Sequence, residues 1–163
     1  MHSDSVHQDT LQRFTTASGR VVYGGGGIMP DVFIPLDTLG YAPYYKAVTN
    51  RGLPIRFAQR YVDKYRDAFA HYTDWKDLDT RLRHENLLQR FGEFVRAENP
   101  EMVRLQHSTK SDKNLEIQIR ALIVRGIFDS AGYYPVIQEL DNELQQALEL
   151  VAKPKVMALQ NAQ

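Results

Sequence analysis

The chain contains no cysteine among its 163 residues. Disulfides, thiolate zinc sites and cysteine nucleophiles are therefore excluded, and the absence is compatible with either the cytosol or the cell envelope. Net charge is absent too: twenty basic and twenty acidic side chains cancel. No long-range field then favours nucleic acid or an anionic membrane. No apolar stretch approaches the roughly 20 residues that span a bilayer. The start, MHSDSVHQDT, lacks the charged segment and apolar run of a signal peptide. There is no internal repeat and no low-complexity segment. What remains is 43% hydrophobic and 25% charged, the profile of a soluble globular domain large enough to hold a core.

The densest pattern is Phe14 to Asp31, FTTASGRVVYGGGGIMPD. Two β-type runs, Phe14-Thr15-Thr16 and Val21-Val22-Tyr23, flank Ala17-Ser18-Gly19-Arg20. That spacing predicts a tight hairpin, with Gly19 at the positive φ such a loop needs. Four glycines follow, Gly24 to Gly27, and remove every Cβ before Ile28-Met29-Pro30-Asp31. A phosphate cradle is one use of such a run. The GK[ST] ending, the GxGxxG register and a following helix are all missing. A crossing where backbones touch accounts for the glycines better.

These residues resemble the segment that closes the protease core of C-terminal-processing (tail-specific) serine peptidases. That segment has the form F-x-T-x-x-G-R-x-V-Y-G-G-G-G-I-x-P-D. Phe14, Thr16, Gly19, Arg20, Val22, Tyr23, Gly24 to Gly27, Ile28, Pro30 and Asp31 match it in order. The later layout is similar to the helical tail of Bacteroidetes-type members: Pro35-Leu36-Asp37-Thr38, Tyr44-Tyr45, Tyr133-Tyr134 and Asp141. The resemblance implies that a PDZ domain, a serine nucleophile and a lysine general base lie ahead of this stretch. The chain is then expected to be the C-terminal portion of a peptidase without its Ser/Lys dyad, and not an enzyme by itself. It also implies a periplasmic or envelope location for the parent.

The organisation read along the chain is a flexible lead-in over 1–11, a hairpin and glycine-rich strand segment over 12–36, a helical domain over 37–152 and a tail over 153–163. The expected fold is mainly α, about five helices behind an N-terminal hairpin, with Val32-Phe33-Ile34 as a third strand ended by Pro35. Pro43 starts a short helix from Tyr44 to Asn50, closed by Gly52. Pro54 starts the next. Phe57, Ala58, Tyr61, Val62, Tyr65, Ala68, Phe69 and Tyr72 recur at helical spacing, with Arg56, Arg60, Asp63, Lys64, Arg66 and Asp67 on the wet side. This aromatic stripe reads as core in preference to a ligand groove. Trp75 to Leu78 reads as a connection into a helix over Arg83 to Asn99, whose apolar face is Leu87, Leu88, Phe91, Phe94 and Val95. Gly92 in its middle suggests close packing. Glu101 to Asp112 reads as an exposed loop. A helix from Asp112 to Phe128 buries Leu115, Ile119, Leu122, Ile123 and Ile127, while Arg120 and Arg125 face outward or pair with acids. After Gly132, Pro135 starts a last helix with Val136, Ile137, Leu140, Leu144, Ala147, Leu148 and Val151 inward, ending before Pro154.

A search for chemistry yields no catalytic residue, no cofactor site and no metal site. Ser108-Thr109-Lys110 and Ser111-Asp112-Lys113 pair serine with lysine, but in a polar stretch where lysine keeps its proton. A helix N-cap explains Ser108 or Ser111 better. His2, His7, His71, His84 and His107 are scattered, without a metal or triad pattern. Asp74, Asp77 and Asp79 lack the glycine and terminal glutamate of a calcium loop and read as solvated turn residues. The expected partner is protein or peptide, either the rest of the parent peptidase or a second copy. No nucleic acid and no membrane span is expected. The alternative is a free-standing helical binding module that associates through exposed strand edges.

Overall fold

A computed structural model describes residues 13–17, 19, 21–23, 32–35 and 41–152. The lead-in, the four glycines with Ile28 to Asp31, His2, His7, the turn before Tyr41 and the tail after Ala152 lie outside the described residues. The chain divides into two compact units, 37–141 and a second formed from 1–36 with 142–163.

The second unit holds the hairpin. Strand β1 (Arg13–Thr15) pairs antiparallel with β2 (Val21–Tyr23), Arg13 opposite Tyr23, Phe14 opposite Val22 and Thr15 opposite Val21. Gly19, at φ 82°, donates its N–H to the Thr16 carbonyl at 2.9 Å and turns the chain as expected. Val32, Phe33 and Ile34 do not form the expected third strand: among the described residues the sheet is β1 and β2 alone, and this segment pairs with neither. Helix α6 (Asn142–Ala152) belongs to the same unit. Leu148 and Val151 on it are exposed, against the expectation that they face inward. The reason is local. The preceding helix gives way to a 3₁₀ turn at Gln138–Leu140, and Asp141 is extended (φ −86°, ψ 95°), so Pro135 does not start one continuous helix and α6 begins anew at Asn142.

The larger unit is all helical: α1 (Pro43–Asn50), α2 (Leu53–Phe69), α3 (Trp75–Arg83), α4 (Leu87–Glu98), a 3₁₀ turn at Pro100–Arg104, and α5 (Thr109–Ile137). With α6 that makes six α-helices among the described residues, a mainly α fold. Helix α5 is the centre. Leu115, Ile117, Ile119, Ala121, Ile123 and Val124 are all buried, and a helix apolar on most sides must be enclosed. Helices α1, α2, α3 and α4 pack around it. The α2 stripe behaves as read: Phe57, Ala58, Tyr61, Val62 and Phe69 are buried, each large side chain contributing about 1.5–3 kcal/mol.

Four local expectations are corrected. Trp75 to Leu78 is not a connection but the start of α3, because the Asp74 carboxylate caps it by accepting from Lys76 N–H at 2.9 Å. The stretch after Pro100 is not wholly an exposed loop, since its 3₁₀ turn buries Met102. Gly92 has open space where a Cβ would stand and mediates no close packing. Gly132 does: a Cβ there would lie 2.6 Å from Val124 Cγ1 and 2.8 Å from Phe128 Cβ. Finally, α5 breaks at Asp129 (φ 52°, ψ −144°), not at Gly132, and Pro135 lies within its last segment.

Candidate functional site

Helices α2 and α4 enclose a groove of about 290 Å³. Phe57, Tyr61 and Tyr65 follow at successive fourth positions on α2, so their rings share one face. Phe57 meets Phe94 at 5.6 Å between centroids, and Tyr61 meets Tyr65 at 4.7 Å. Over this floor stand three cations. The Arg60 guanidinium lies 5.2 Å from the Phe94 centroid, the Lys64 ammonium 5.3 Å from Tyr65, and the Arg90 guanidinium 6.0 Å from Tyr61. Arg90 also donates to the Tyr65 hydroxyl at 3.0 Å. The Tyr61 hydroxyl donates to Glu85. Burial, then that hydrogen bond, pushes the Tyr61 phenol well above its ordinary value.

Carboxylates stand among these cations: Glu93 lines the groove itself and accepts from Gln89 Nε2 at 3.1 Å. Glu98 is shared by Arg56 at 2.8 Å and Arg60 at 2.6 Å. Glu85 is shared by Arg81 at 3.3 Å and Arg90 at 3.8 Å. Lys64 has no carboxylate partner among the described residues. The groove therefore presents aromatic rings beneath a rim of mixed charge, in which Glu93 stands beside the cations and Glu98 and Glu85 hold Arg60 and Arg90.

A second charged cluster is buried. Arg120, 2% exposed, donates to Asp79 and, at 2.9 Å, to Glu139. Arg83 donates to the other Asp79 oxygen at 2.8 Å and to the other Glu139 oxygen. The four side chains close a ring of alternating sign across α3, α5 and the 3₁₀ turn after α5. Asp79 is thus no solvated turn residue: it is 4% exposed and holds the guanidinium that α5 carries into the core. Arg120 Nε has no protein partner among the described residues. The ring is saturated with its own counter-charges and is structural in character.

A wider groove of about 610 Å³ runs between α2 and α5, lined by Ala58, Val62, Leu122, Gly126, Arg125 and Asp129 among others. On its rim Asp63 and Arg66 neutralise each other at 2.7 Å, so its size exceeds its chemical character.

The residues weighed for chemistry from the sequence are not brought together. Ser108 caps α5, accepting from Ser111 N–H at 3.2 Å, while its hydroxyl meets that of Ser111 at 2.8 Å. His107 stacks on Tyr44 at 3.9 Å and contacts Asp112 through Nδ1 at 3.0 Å. His84 is the C-cap of α3, and His71 rests beside Tyr72. Among the described residues no group of three or more His, Asp or Glu could hold a metal ion. Of the groove cations, Arg60 and Lys64 were legible only as wet-face residues, and Arg90 was not singled out. No helical spacing announces them: Arg60 stands over Phe94, on a different helix, and Lys64 over the adjacent Tyr65.

Fold and site together define an all-helical unit whose most distinctive surface is an aromatic groove with a charged rim. The chain belongs to a family of unknown function, DUF8443, whose match covers residues 44–129, just over half of the sequence. No curated protein and no solved structure matches it. Among the described residues no helix is long and apolar enough to cross a membrane.

Proposed function

We propose that this chain is the non-catalytic C-terminal segment of a periplasmic tail-specific serine peptidase. In this reading the segment through Asp31 completes the protease core. The helical unit beyond Asp37 supports that core and regulates substrate access or assembly. The observation that carries the reading is the ordered match of Phe14 to Asp31 to the core-closing motif. The state of the hairpin supports it: three-residue strands are marginal alone, and Phe14 is 58% and Phe33 52% exposed. Such edges gain from a sheet supplied by a preceding catalytic part.

The test is complementation. A tail-specific peptidase catalytic fragment ending just before its own copy of the motif is mixed with this chain, and hydrolysis of an unstructured protein is followed. Restored cleavage, dependent on the fragment's serine, is expected, and this chain alone should cleave nothing. Failure to bind or restore the fragment, or serine-dependent cleavage by the pure chain, would overturn the reading.

The same exposed side chains favour one alternative, a free-standing helical binding module that self-associates through its strand edge. Under it, sedimentation shows a dimer or larger species that Phe14→Asp with Phe33→Asp dissolves. An unchanged oligomeric state in that double variant removes it.

A further inference from the structure

We propose that the Asp129–Ser130 linkage is a modification site at which the backbone isomerises without an enzyme, aspartate becoming isoaspartate. In the first step the Ser130 amide nitrogen attacks Cγ of the Asp129 carboxyl group. A C–N bond forms, the carboxyl OH and the amide proton leave as water, and a five-membered succinimide results. Water then opens the ring at either carbonyl, and opening at the α-carbonyl leaves the chain running through Cβ. The sequence of steps is neutral in redox and needs no co-reactant besides water. The inference is independent of the peptidase reading.

Backbone geometry selects this residue. A planar succinimide needs the following nitrogen to eclipse Cβ across the Cα–C bond, which at the tetrahedral Cα of an L-residue means ψ of about −120°. Asp129 has ψ −144°, so the Ser130 nitrogen stands about 24° from that position. At helical ψ, about −42°, the offset is about 78°, and at strand ψ, about 135°, it is about 105°. Asp141, at ψ 95°, lies about 145° away. At Asp129, rotation about Cα–Cβ is then the movement left to bring Cγ onto the nitrogen, whereas Asp67 must first unwind α2. The φ of 52° acts in the same direction. An L-residue is strained there by its Cβ, and buried neighbours on both sides hold it in place: Ile123 and Val124 before, Gly132 and Val136 after. A chain that passes through Cβ has one more main-chain bond to spread over the joint, so the product sheds that strain. Access is open as well. Asp129 and Ser130 are both exposed, and Asp129 lines the wide α2–α5 groove, which leaves room for the ring and for the water that opens it.

The full 163-residue chain is held for weeks in buffered heavy-oxygen water, below its melting transition, with and without denaturing urea. Peptide mapping by mass spectrometry follows isoaspartate, marked by an incorporated heavy oxygen and a shifted elution time. Asp67 before Ala68 and Asp141 before Asn142 are internal controls, neither of which has its following nitrogen poised over Cβ. In the folded chain Asp129 should convert about tenfold faster than either control, and urea should slow it by a similar factor, the reverse of the protection that folding usually gives. Asp129→Asn keeps the geometry and releases ammonia in place of water, so it should deamidate about tenfold faster folded than in urea. Circular dichroism confirms that this variant folds; should it not, the unsubstituted chain decides alone. The proposal is overturned if Asp129 converts no faster than the controls, if urea leaves its rate unchanged or raises it, or if the folded asparagine variant deamidates no faster than the denatured one.

Discussion

Replacing Asp79 by Leu removes one side of the buried ring and leaves the Arg120 guanidinium in the core with Glu139 as its remaining acid. Breaking a buried pair in this way costs about 3–5 kcal/mol, because the surviving charge is uncompensated. Glu139 stays at 2.9 Å, which places the expected loss at the lower end, about 3 kcal/mol. For a unit of about 100 residues, at roughly 4 °C per kcal/mol, the melting temperature falls by ~12 °C. The companion changes order the reasoning. Arg83→Gln removes a guanidinium that is 46% exposed and should cost about 1 kcal/mol. Asp79→Leu with Arg120→Met removes both buried charges together and should lie within about 1–2 kcal/mol of the parent, well above either single variant. Urea denaturation followed by far-ultraviolet dichroism measures all four. A loss below about 1 kcal/mol for Asp79→Leu, or a double variant no better than the singles, would refute the assignment of a buried, mutually dependent ring.

Asp129 holds a backbone conformation that suits glycine, so Asp129→Gly should stabilise the helical unit by about 1–2 kcal/mol, read as a higher urea midpoint at unchanged slope. Gly132→Ala should cost about 1–3 kcal/mol, because the added methyl meets Val124 and Phe128 inside contact distance; a neutral outcome in thermal melts would show that α5 yields there. The Tyr44 phenol is pushed up to about 12, first by burial and then by the charge of Asp112. Since its folded value is raised over the unfolded one near 10, the associated stability is intact below pH 10 and is lost as pH climbs from about 10 to 12. Tyrosinate absorbance should therefore show Tyr44 titrating late, and Tyr44→Phe should flatten the alkaline loss of stability.

The parts of this fold legible from sequence are those where local chemistry and tertiary packing agree. Phe57, Tyr61 and Phe69 repeat at helical spacing and are buried; Ser108 had no better use than as a cap, and caps α5. Legibility failed where the determining contact is distant. Nothing near Asp79 announces that Arg120, 41 residues later, will be buried against it, so three aspartates in a short stretch read alike. Asp74 was in the same stretch, yet its capping role turns a supposed connection into α3. Leu148 and Val151 continue the period of Val136, and the period alone could not reveal that the helix is interrupted at Gln138–Asp141 before α6. The groove was half legible: its rings were read correctly as a packed stripe, while Arg60 and Lys64 over them were assigned to solvent and Arg90 was not singled out.

The buried ring also fixes how much chain constitutes one self-sufficient piece. The recognisable family segment stops at residue 129, at the strained aspartate that ends the long part of α5. Glu139, and Val136 with no exposure at all, lie past that point within the compact unit that runs to Asp141. A protein trimmed to the family boundary would keep Arg120 inside while discarding one of its two acids and a core side chain. Anyone transplanting this module into another polypeptide should cut after Asp141: the stretch that makes it identifiable is shorter than the stretch that makes it whole.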